Sequence, residues 1–565
     1  MQLGCRQPCA TLMEIVVVDW VNSTFADAVD WAATTHGNRT AVVHNTRRLT
    51  YRELADRARN LAKGLLGQGL RPGDKVGLWA ADSIEWMVAR WAVPAMGCVL
   101  VPINTRFLGS ELAYVLKQAD IRALIIGEGF RDTSFDNVLS TIVPDLAAQK
   151  PGRWAVEAFP ELRLVVGIGA GHGPGAVPFD EIEECGAKES HLDVLLTDAQ
   201  KSVTAQDVAQ IMYTSGTTSF PKGAMIGHGP VLQNNFNTIA RQNLTVEDCY
   251  LATVPLFSAT GTAFTLSSFL AGGRVVLMDR FSPEKFCDLV EEEKVTGSFF
   301  LDPIVQDLQA YPRIGQRNLS SLRMGVGAPL GERLFRWLAV ECGISGLAGV
   351  YGLSETSNAV SRGANDEPLE TRVTTCGRPV PGVEVRIANV ETGALQAAGE
   401  AGEIQVRGYT VMQGYYKKPE ETAASFTQDG WLKTGDLGAL TETGHLLFKG
   451  RIKEMMKSGG FNVSTLEVEE FMKGIPQIKQ VMVVGVPDPR FGEAGYAFVE
   501  TREGASIAPE AIISHCKAHM AGYKVPRYVE FVTEWPLTST GKVKKLWLKE
   551  QAARRLQEVL AAKAN

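Results

Sequence analysis

The sequence predicts an α/β protein. A large amino-terminal region of helix-covered parallel sheets should be followed by a small β-rich piece and a compact α+β unit. Three observations carry this. Apolar strand-like runs alternate with amphipathic helical stretches from about residue 50 to residue 300, the pattern of strand–helix–strand units. After about Gly377 short turn-bounded runs take over. After Arg451 helices return among longer apolar runs for about 110 residues, a usual small-domain size. The expected division is 1–450, with the β-rich piece at about 377–450, and then 451–565.

The elements follow in order. "LTYRELADRARNLAKGLLGQGL" puts Leu54, Ala58, Leu61, Ala62 and Leu65 at helical spacing and ends in glycine. "GDKVGLWA" reads as a strand, "SIEWMVARWAVPAMG" as a helix and "CVLVPI" as a strand. "GSELAYVLKQAD" is a helix and "IRALIIG" a strand. The alternation resumes with "TGTAFTLSSFLAGG", "RVVLMD" and "SPEKFCDLVEEEKVTG". "GRPVPGVEVRIAN", "GEIQVRG" and "GHLLFKGR" supply the short strands of the β-rich piece. "STLEVEEFMKG", "IKQVMVVGVPD", "GYAFVETRE", "PEAIISHCKAHM" and "RYVEFVTEW" make the last unit.

Composition removes several classes. With 45% hydrophobic and 21% charged residues in 565, the chain has material for a large core. A net charge of -6 offers no basic field for a nucleic acid. Nine scattered cysteines without zinc or redox spacing read as free thiols in a reducing compartment, so a cytoplasmic protein is expected. The longest apolar stretch, Trp91–Ile103, is too short to span a bilayer, so no integral membrane association is expected. The first twenty residues lack a basic segment followed by an apolar one, and Met13 is a second candidate start.

"VVGIGAGHGPGA" holds Gly171, Gly173 and Ala176 at dinucleotide-loop spacing. Pro174 stands where the helix should begin, and no helix is expected directly afterwards, so the segment reads as a surface loop.

"YTSGTTSFPKG" is different. It crowds small residues and hydroxyls around Lys222 just after an apolar run. Successive N–H groups and hydroxyls with one cation suit a polyphosphate. It is not a Walker loop, because Lys222 follows Pro221 and precedes Gly223. Four further stretches bear on its meaning: "VYGLSET", "GWLKTGDLG", "GRIKEMMKSGGFNVSTLEVE" and "PLTSTGKVKK".

Together, in this order and spacing, these five stretches resemble the adenylate-forming superfamily of acyl-CoA synthetases, luciferases and peptide-synthetase adenylation domains. The resemblance spans most of the chain and implies the following roles. Thr214, Ser215, Gly216, Thr217, Thr218 and Lys222 would hold the β- and γ-phosphates of ATP. Tyr351 would stack on adenine beside Gly352, and Ser354 would offer its hydroxyl to the α-phosphate. Glu355, with Thr217, would bind Mg²⁺. Asp436 would accept both ribose hydroxyls, a task that suits a carboxylate, and Arg451 would also touch the ribose. Lys542 would meet the acid's carboxylate and the α-phosphate, and Lys453 would be a hinge about which the small domain rotates. Lys457, Gly459 and Gly460 would border a tunnel for the pantetheine of coenzyme A. Glu355, Lys222 and Lys542 are thus the expected catalytic set.

The resemblance implies a ligase that joins a carboxylic acid to CoA through an acyl-adenylate. The alternative acceptor is an acyl carrier protein, and a homodimer is left open. The acyl pocket would be formed by Phe236, Ser258, Gly261, Val326, Gly327 and Asn358. Apart from Glu355, the segments that carry them hold no Asp, Glu, Lys or Arg, so a fatty, aromatic or bulky alicyclic acid is expected rather than an amino acid. The chain departs from the family's usual residues at three places. Ser354 stands for threonine, Ser219 for glycine, and Ser258 for the histidine that many relatives place near the carboxylate. Ser258 would widen the pocket there or turn the carboxylate.

Overall fold

A computed structural model describes residues 18–173, 175–214, 221–328, 330–458, 461–488, 491–537 and 542–564. The predicted alternation appears as two large sheets. One has nine strands, with a parallel centre ordered Gly346–Leu353, Met324–Gly327, Gly297–Phe300, Cys249–Ala252, Arg274–Leu277 and Thr40–His44. Antiparallel strands close its edges: Asn358–Arg362 and Arg378–Pro379 on one side, Arg47–Thr50 on the other. The second sheet has eight strands, including Lys75–Trp79, Val99–Pro102, Ile121–Ile126 and the antiparallel pair Val208–Thr214 and Lys222–Gly227.

The helices start where their sequences say. Tyr51–Gly67 begins at Thr50, whose hydroxyl accepts from the Glu53 N–H while Glu53 reaches back, a capping box. Its apolar face buries Leu54, Ala58, Leu61 and Leu65. One apolar cluster joins the two sheets, taking Leu78, Leu100 and Ala123 from one and Tyr250, Val275, Phe299 and Val326 from the other. Each such buried side chain contributes on the order of 1.5–3 kcal/mol, so this shared cluster fixes one sheet against the other.

The β-rich piece is a four-stranded antiparallel sheet of Val383–Ala388, Gly402–Gly408, Leu432–Leu440 and Leu446–Arg451. A separate α+β region follows, built on Ile478–Asp488 and Gly492–Thr501 with the helices Thr465–Lys473, Pro509–His519 and Lys545–Ala564. It has its own apolar cluster around Val481, Val483, Ala497 and Val499. It is tied to the large region by Lys473, whose ammonium lies 3.0 Å from Asp302 and 2.7 Å from Glu470.

One expectation fails. A helix, Phe179–Lys188, does follow the glycine-rich segment, after the two-residue strand Val177–Pro178. Phe179 and Ile182 anchor it in the core, a spacing too short to stand out in "VPFDEIEE". The helix begins three residues beyond Ala176, so Gly171 and Gly173 do not reach its first turn.

Candidate active site

The site forms where the end of strand Gly346–Leu353 meets the four-stranded sheet. Ligands of parallel sheets collect at the carboxyl ends of strands, and this end carries Tyr351, Ser354 and Glu355. Gly352 is required there: a Cβ would stand 1.4 Å from the Asn358 carbonyl oxygen.

Asp436 is aimed by a local irregularity. Glu403 pairs with Leu437 and Gln405 with Lys433, so extra residues bulge out around Asp436. Gly435 has φ of 71°, a conformation that suits glycine, and the Thr434 hydroxyl accepts from the Asp436 N–H at 3.1 Å. The Asp436 carboxylate accepts from the Tyr351 hydroxyl at 2.8 Å and lies 3.5 Å from Arg451 Nε. Burial pushes Asp436 up to about 6, with Arg451 and the Tyr351 hydrogen bond pulling the other way. The Tyr351 ring stacks on Phe448 at 5.7 Å. Phe448 was not legible beforehand; it lies in "GHLLFKGR", which reads only as a strand.

Lys542 reaches this corner from the carboxy-terminal region. It feels the charges of Arg451, Asp436 and Glu454. Burial, then Arg451, hold its ammonium below the ordinary lysine value. The residue nevertheless meets solvent.

The phosphate side is assembled by Tyr415. Thr214 and Lys222 face each other as the last pair of their two strands. The Lys222 ammonium stands 4.2 Å from the centre of the Tyr415 ring, a cation–π contact. The Tyr415 hydroxyl donates to Glu355 at 2.8 Å. Tyr415 thus links Lys222, expected at the phosphates, to Glu355, expected at the metal. Its only sequence signal is the aromatic pair in "GYYKKPE". Ser215, Gly216, Thr217, Thr218 and Ser219 lie outside the described residues, as do Gly459 and Gly460. Lys457 is exposed on the short strand Met456–Ser458, its N–H donating to Glu493 at 2.7 Å. Lys453 sits in the 3-10 turn Ile452–Glu454, directly after Arg451.

No group of three or more His, Cys, Asp or Glu that could hold a metal occurs among the described residues. Glu355 alone fits Mg²⁺ carried by ATP, since that ion commonly takes one or two carboxylates and completes its shell with phosphates and water.

The acyl side differs from expectation in detail. Ser258 caps the helix Ala259–Leu270: its hydroxyl accepts from the Gly261 N–H at 3.0 Å and donates to the Pro255 carbonyl at 2.8 Å. The hydroxyl is therefore consumed locally. Gly261 does not open space, because a Cβ there would meet the Pro255 oxygen at 2.2 Å. Gly327 is likewise backed by Leu330. Val326 packs into the aromatic cluster with Phe264 and Phe299, and Phe236 lies at that cluster's edge, 6.4 Å from Trp20. Asn234 clamps the start of the edge strand, donating to the Ala359 carbonyl at 2.7 Å and accepting from the Ala359 N–H. Asn358 has φ of 99°, and its buried amide nitrogen has no partner among the described residues. Strain of that kind costs on the order of 1–3 kcal/mol and collects at functional sites. Between the helices His228–Gln242 and Ala259–Leu270 lies a small cavity of about 10 Å³, room for about one water, lined by Thr238, Gln242, Asp248, Tyr250, Phe264 and Ser298.

This fold and corner define an enzyme that handles an adenine nucleotide, and the chain belongs to the AMP-binding enzyme family. The family's main model matches residues 29–416, and the model of the AMP-binding enzyme C-terminal domain matches 467–542. The human mitochondrial medium-chain acyl-CoA ligase is 32% identical over 524 residues, 91% of this chain and 85% of its own. A methyl-dioxo-octahydroindenyl-propanoyl:CoA ligase of Rhodococcus jostii is 33% identical over 542 residues, 94% of this chain and 99% of its own. Among solved structures, an anthranilate CoA ligase in complex with anthranoyl-AMP superposes with a TM-score of 0.82 at 25% identity, covering 95% of this chain and 98% of its own. The chain is an AMP-forming acid–thiol ligase that makes an acyl-CoA through an adenylate and uses ATP and CoA. No helix among the described residues is long and apolar enough to cross a membrane.

Proposed function

We propose that the acid activated here has a largely apolar body, fatty, aromatic or alicyclic. The observation that carries the reading of the site is the convergence of Lys542, from the carboxy-terminal region, with Asp436 and Arg451. This is the arrangement needed for the first half-reaction. A carboxylate oxygen of the acid attacks the α-phosphorus of ATP, and the bond to the β-phosphate oxygen breaks. Pyrophosphate leaves and the acyl-adenylate remains. Lys542 neutralises charge that gathers on the carboxylate and α-phosphate oxygens, the kind of fixed electrostatic aid that contributes most to such steps. Asp436 and Tyr351 hold the nucleoside. Lys222, backed by Tyr415, takes the departing phosphates, with Thr214 to Thr218 around them. Mg²⁺ at Glu355 would supply further neutralisation of the phosphates.

In the second half-reaction the CoA sulfur attacks the acyl carbonyl, the carbon–oxygen bond to AMP breaks, and the thiol proton goes to solvent. We assign the units as 1–450 and 451–565, with rotation of the second about Lys453. Rotation withdraws Lys542 and must break the Lys473–Asp302 tie. Lys457 would then border the thiol's entry.

The apolar surroundings of the expected pocket, with Phe264, Phe299 and Val326 in one buried cluster, support an apolar acid body, and relatives named above are a medium-chain acyl-CoA ligase and an indenyl-propanoyl:CoA ligase. The test is pyrophosphate release with ATP, Mg²⁺ and straight-chain, aromatic, alicyclic and polycyclic acids, with and without CoA. Acid-dependent, CoA-dependent turnover yielding AMP is expected. Release that stops near one equivalent per enzyme, with CoA making no difference, would instead assign the acyl group to a carrier protein.

A further inference from the structure

Arg362 ends the edge strand Asn358–Arg362 and is fully buried, at 0% exposure. None of its three guanidinium nitrogens has a hydrogen-bond partner among the described residues. Its guanidinium carbon lies 4.8 Å from the centre of the Phe264 ring. Phe264 stacks on Tyr250, and both line the small cavity. Of the groups that act on Arg362, Tyr250 favours its charge and Arg241, a second cation, opposes it. Asp248, which lines the same cavity, is engaged by Arg323 Nε at 2.9 Å. Arg90 differs in degree: it too is buried over an aromatic ring and two of its nitrogens lack partners among the described residues, but its third donates to Gln210 at 2.9 Å, whereas Arg362 makes no such bond.

A buried cation with no counter-charge costs several kcal/mol. A fold keeps one where something arrives to compensate it. The position says what. Phe264 lies six residues beyond Ser258 along its helix, about 9 Å of rise. Arg362 lies four residues beyond Asn358 along its strand, about 13 Å. Both paths lead from residues expected at the acid's carboxylate to Phe264 and Arg362, which meet at 4.8 Å.

We propose that Arg362 receives an oxygen acceptor at the distal end of the acyl substrate, a second carboxylate or a ring or chain ketone. The inference rests on the acid-ligase reading and sharpens it: the acid is apolar through its middle and oxygenated at its tail. Hydrogen bonds to a buried charge discriminate by about 10- to 100-fold against an analogue that lacks the acceptor.

The test is kcat/KM for CoA thioester formation on matched acids. The linear set is octanoic acid, octanedioic acid and the eight-carbon acid with a ketone beside its terminal methyl. The bicyclic set is a saturated indenyl-propanoic acid with and without a ring ketone. The wild type should prefer an oxygenated member of one set by at least tenfold. Preference for the diacid assigns an anion, and preference for a ketone assigns a neutral acceptor. Arg362→Met, of similar volume, should bring the ratio to one or invert it. Arg362→Lys, which keeps charge but loses the fork, should keep part of the preference. A folding defect lowers both members of a pair alike and leaves the ratio intact. In thermal melts the preferred acid should stabilise the wild type more than its deoxy partner does, and Arg362→Met should erase that difference. Turnover of the plain acids at equal or higher kcat/KM, or a preference that survives Arg362→Met, would overturn the inference while leaving the ligase reading in place. Turnover of none of these acids would overturn both.

Discussion

The nucleotide end and the acyl end of this site are built on opposite terms. At the nucleotide end each charge has a protein partner before any substrate arrives: Asp436 has Tyr351 and Arg451, Glu355 has Tyr415, and Lys222 has the Tyr415 ring. At the acyl end Ser258 is spent on its own helix, but the Asn358 amide nitrogen and the three Arg362 guanidinium nitrogens lack hydrogen-bond partners among the described residues. On the proposed reading, the matched end would be pre-organised for ATP, and the unmatched end would take its complement from the acid.

The largest effect should come from the group that joins the two ends. Lys542→Ala should lower adenylate formation by about 10²–10³-fold, read as pyrophosphate release. Thioester formation from separately prepared acyl-adenylate should fall far less. Equal loss of both half-reactions would break the assignment of Lys542 to the first step.

Asp436→Asn comes next. Losing a charged acceptor should raise KM for ATP by about 10- to 100-fold. The wild type carries a pH signature as well. Asp436 is pushed up to about 6 by burial, so KM for ATP should rise as pH falls below that value, and the Asn variant should lack this rise. The stability sign is opposite to that of a salt-bridged acid. A carboxyl raised in the folded state binds its proton more tightly there, so its contribution to stability falls as pH climbs from about 4 to about 6.

Tyr415→Phe keeps the ring beneath Lys222 and removes the donor to Glu355. A single neutral donor to a charge supports a loss of about tenfold in adenylation, with a raised Mg²⁺ requirement. Lys473→Ala should slow adenylation by a few-fold and leave thioester formation unaffected or faster, because its tie to Asp302 holds only the first arrangement. Smallest for catalysis is Ser258→Ala. It removes a helix cap worth about 1 kcal/mol, read in a thermal melt, and should shift acid preference little because the hydroxyl is already spent on Gly261 and Pro255.

The same contrast decides what the sequence could tell. The strand and helix order was legible because periodicity and caps act locally, as at Thr50 and Glu53. The helix Phe179–Lys188 was missed because only two of its three buried residues, Phe179 and Ile182, are large apolar side chains, too few to mark a face. Tyr351, Glu355, Asp436 and Lys542 were legible because each sits in a contiguous stretch whose resemblance names it. Tyr415 and Phe448 were not, since their roles arise only when separate strands meet. Arg362 was the hardest to see. It lies four residues past the last segment assigned to the pocket, and an arginine closing "NAVSR" ordinarily reads as the solvated end of a strand. At Gly261 and Ser258 the structure adds what the sequence did not show: close packing against Pro255 and a helix cap.

The most direct measurement follows oxygen. An accepted acid labelled with ¹⁸O in both carboxylate positions is turned over with ATP and CoA, and the products are weighed. Attack of the carboxylate on the α-phosphorus predicts one ¹⁸O in AMP, one in the acyl-CoA carbonyl and none in pyrophosphate. Label in pyrophosphate or inorganic phosphate, or AMP without label, would contradict the acyl-adenylate route on which every residue assignment here depends.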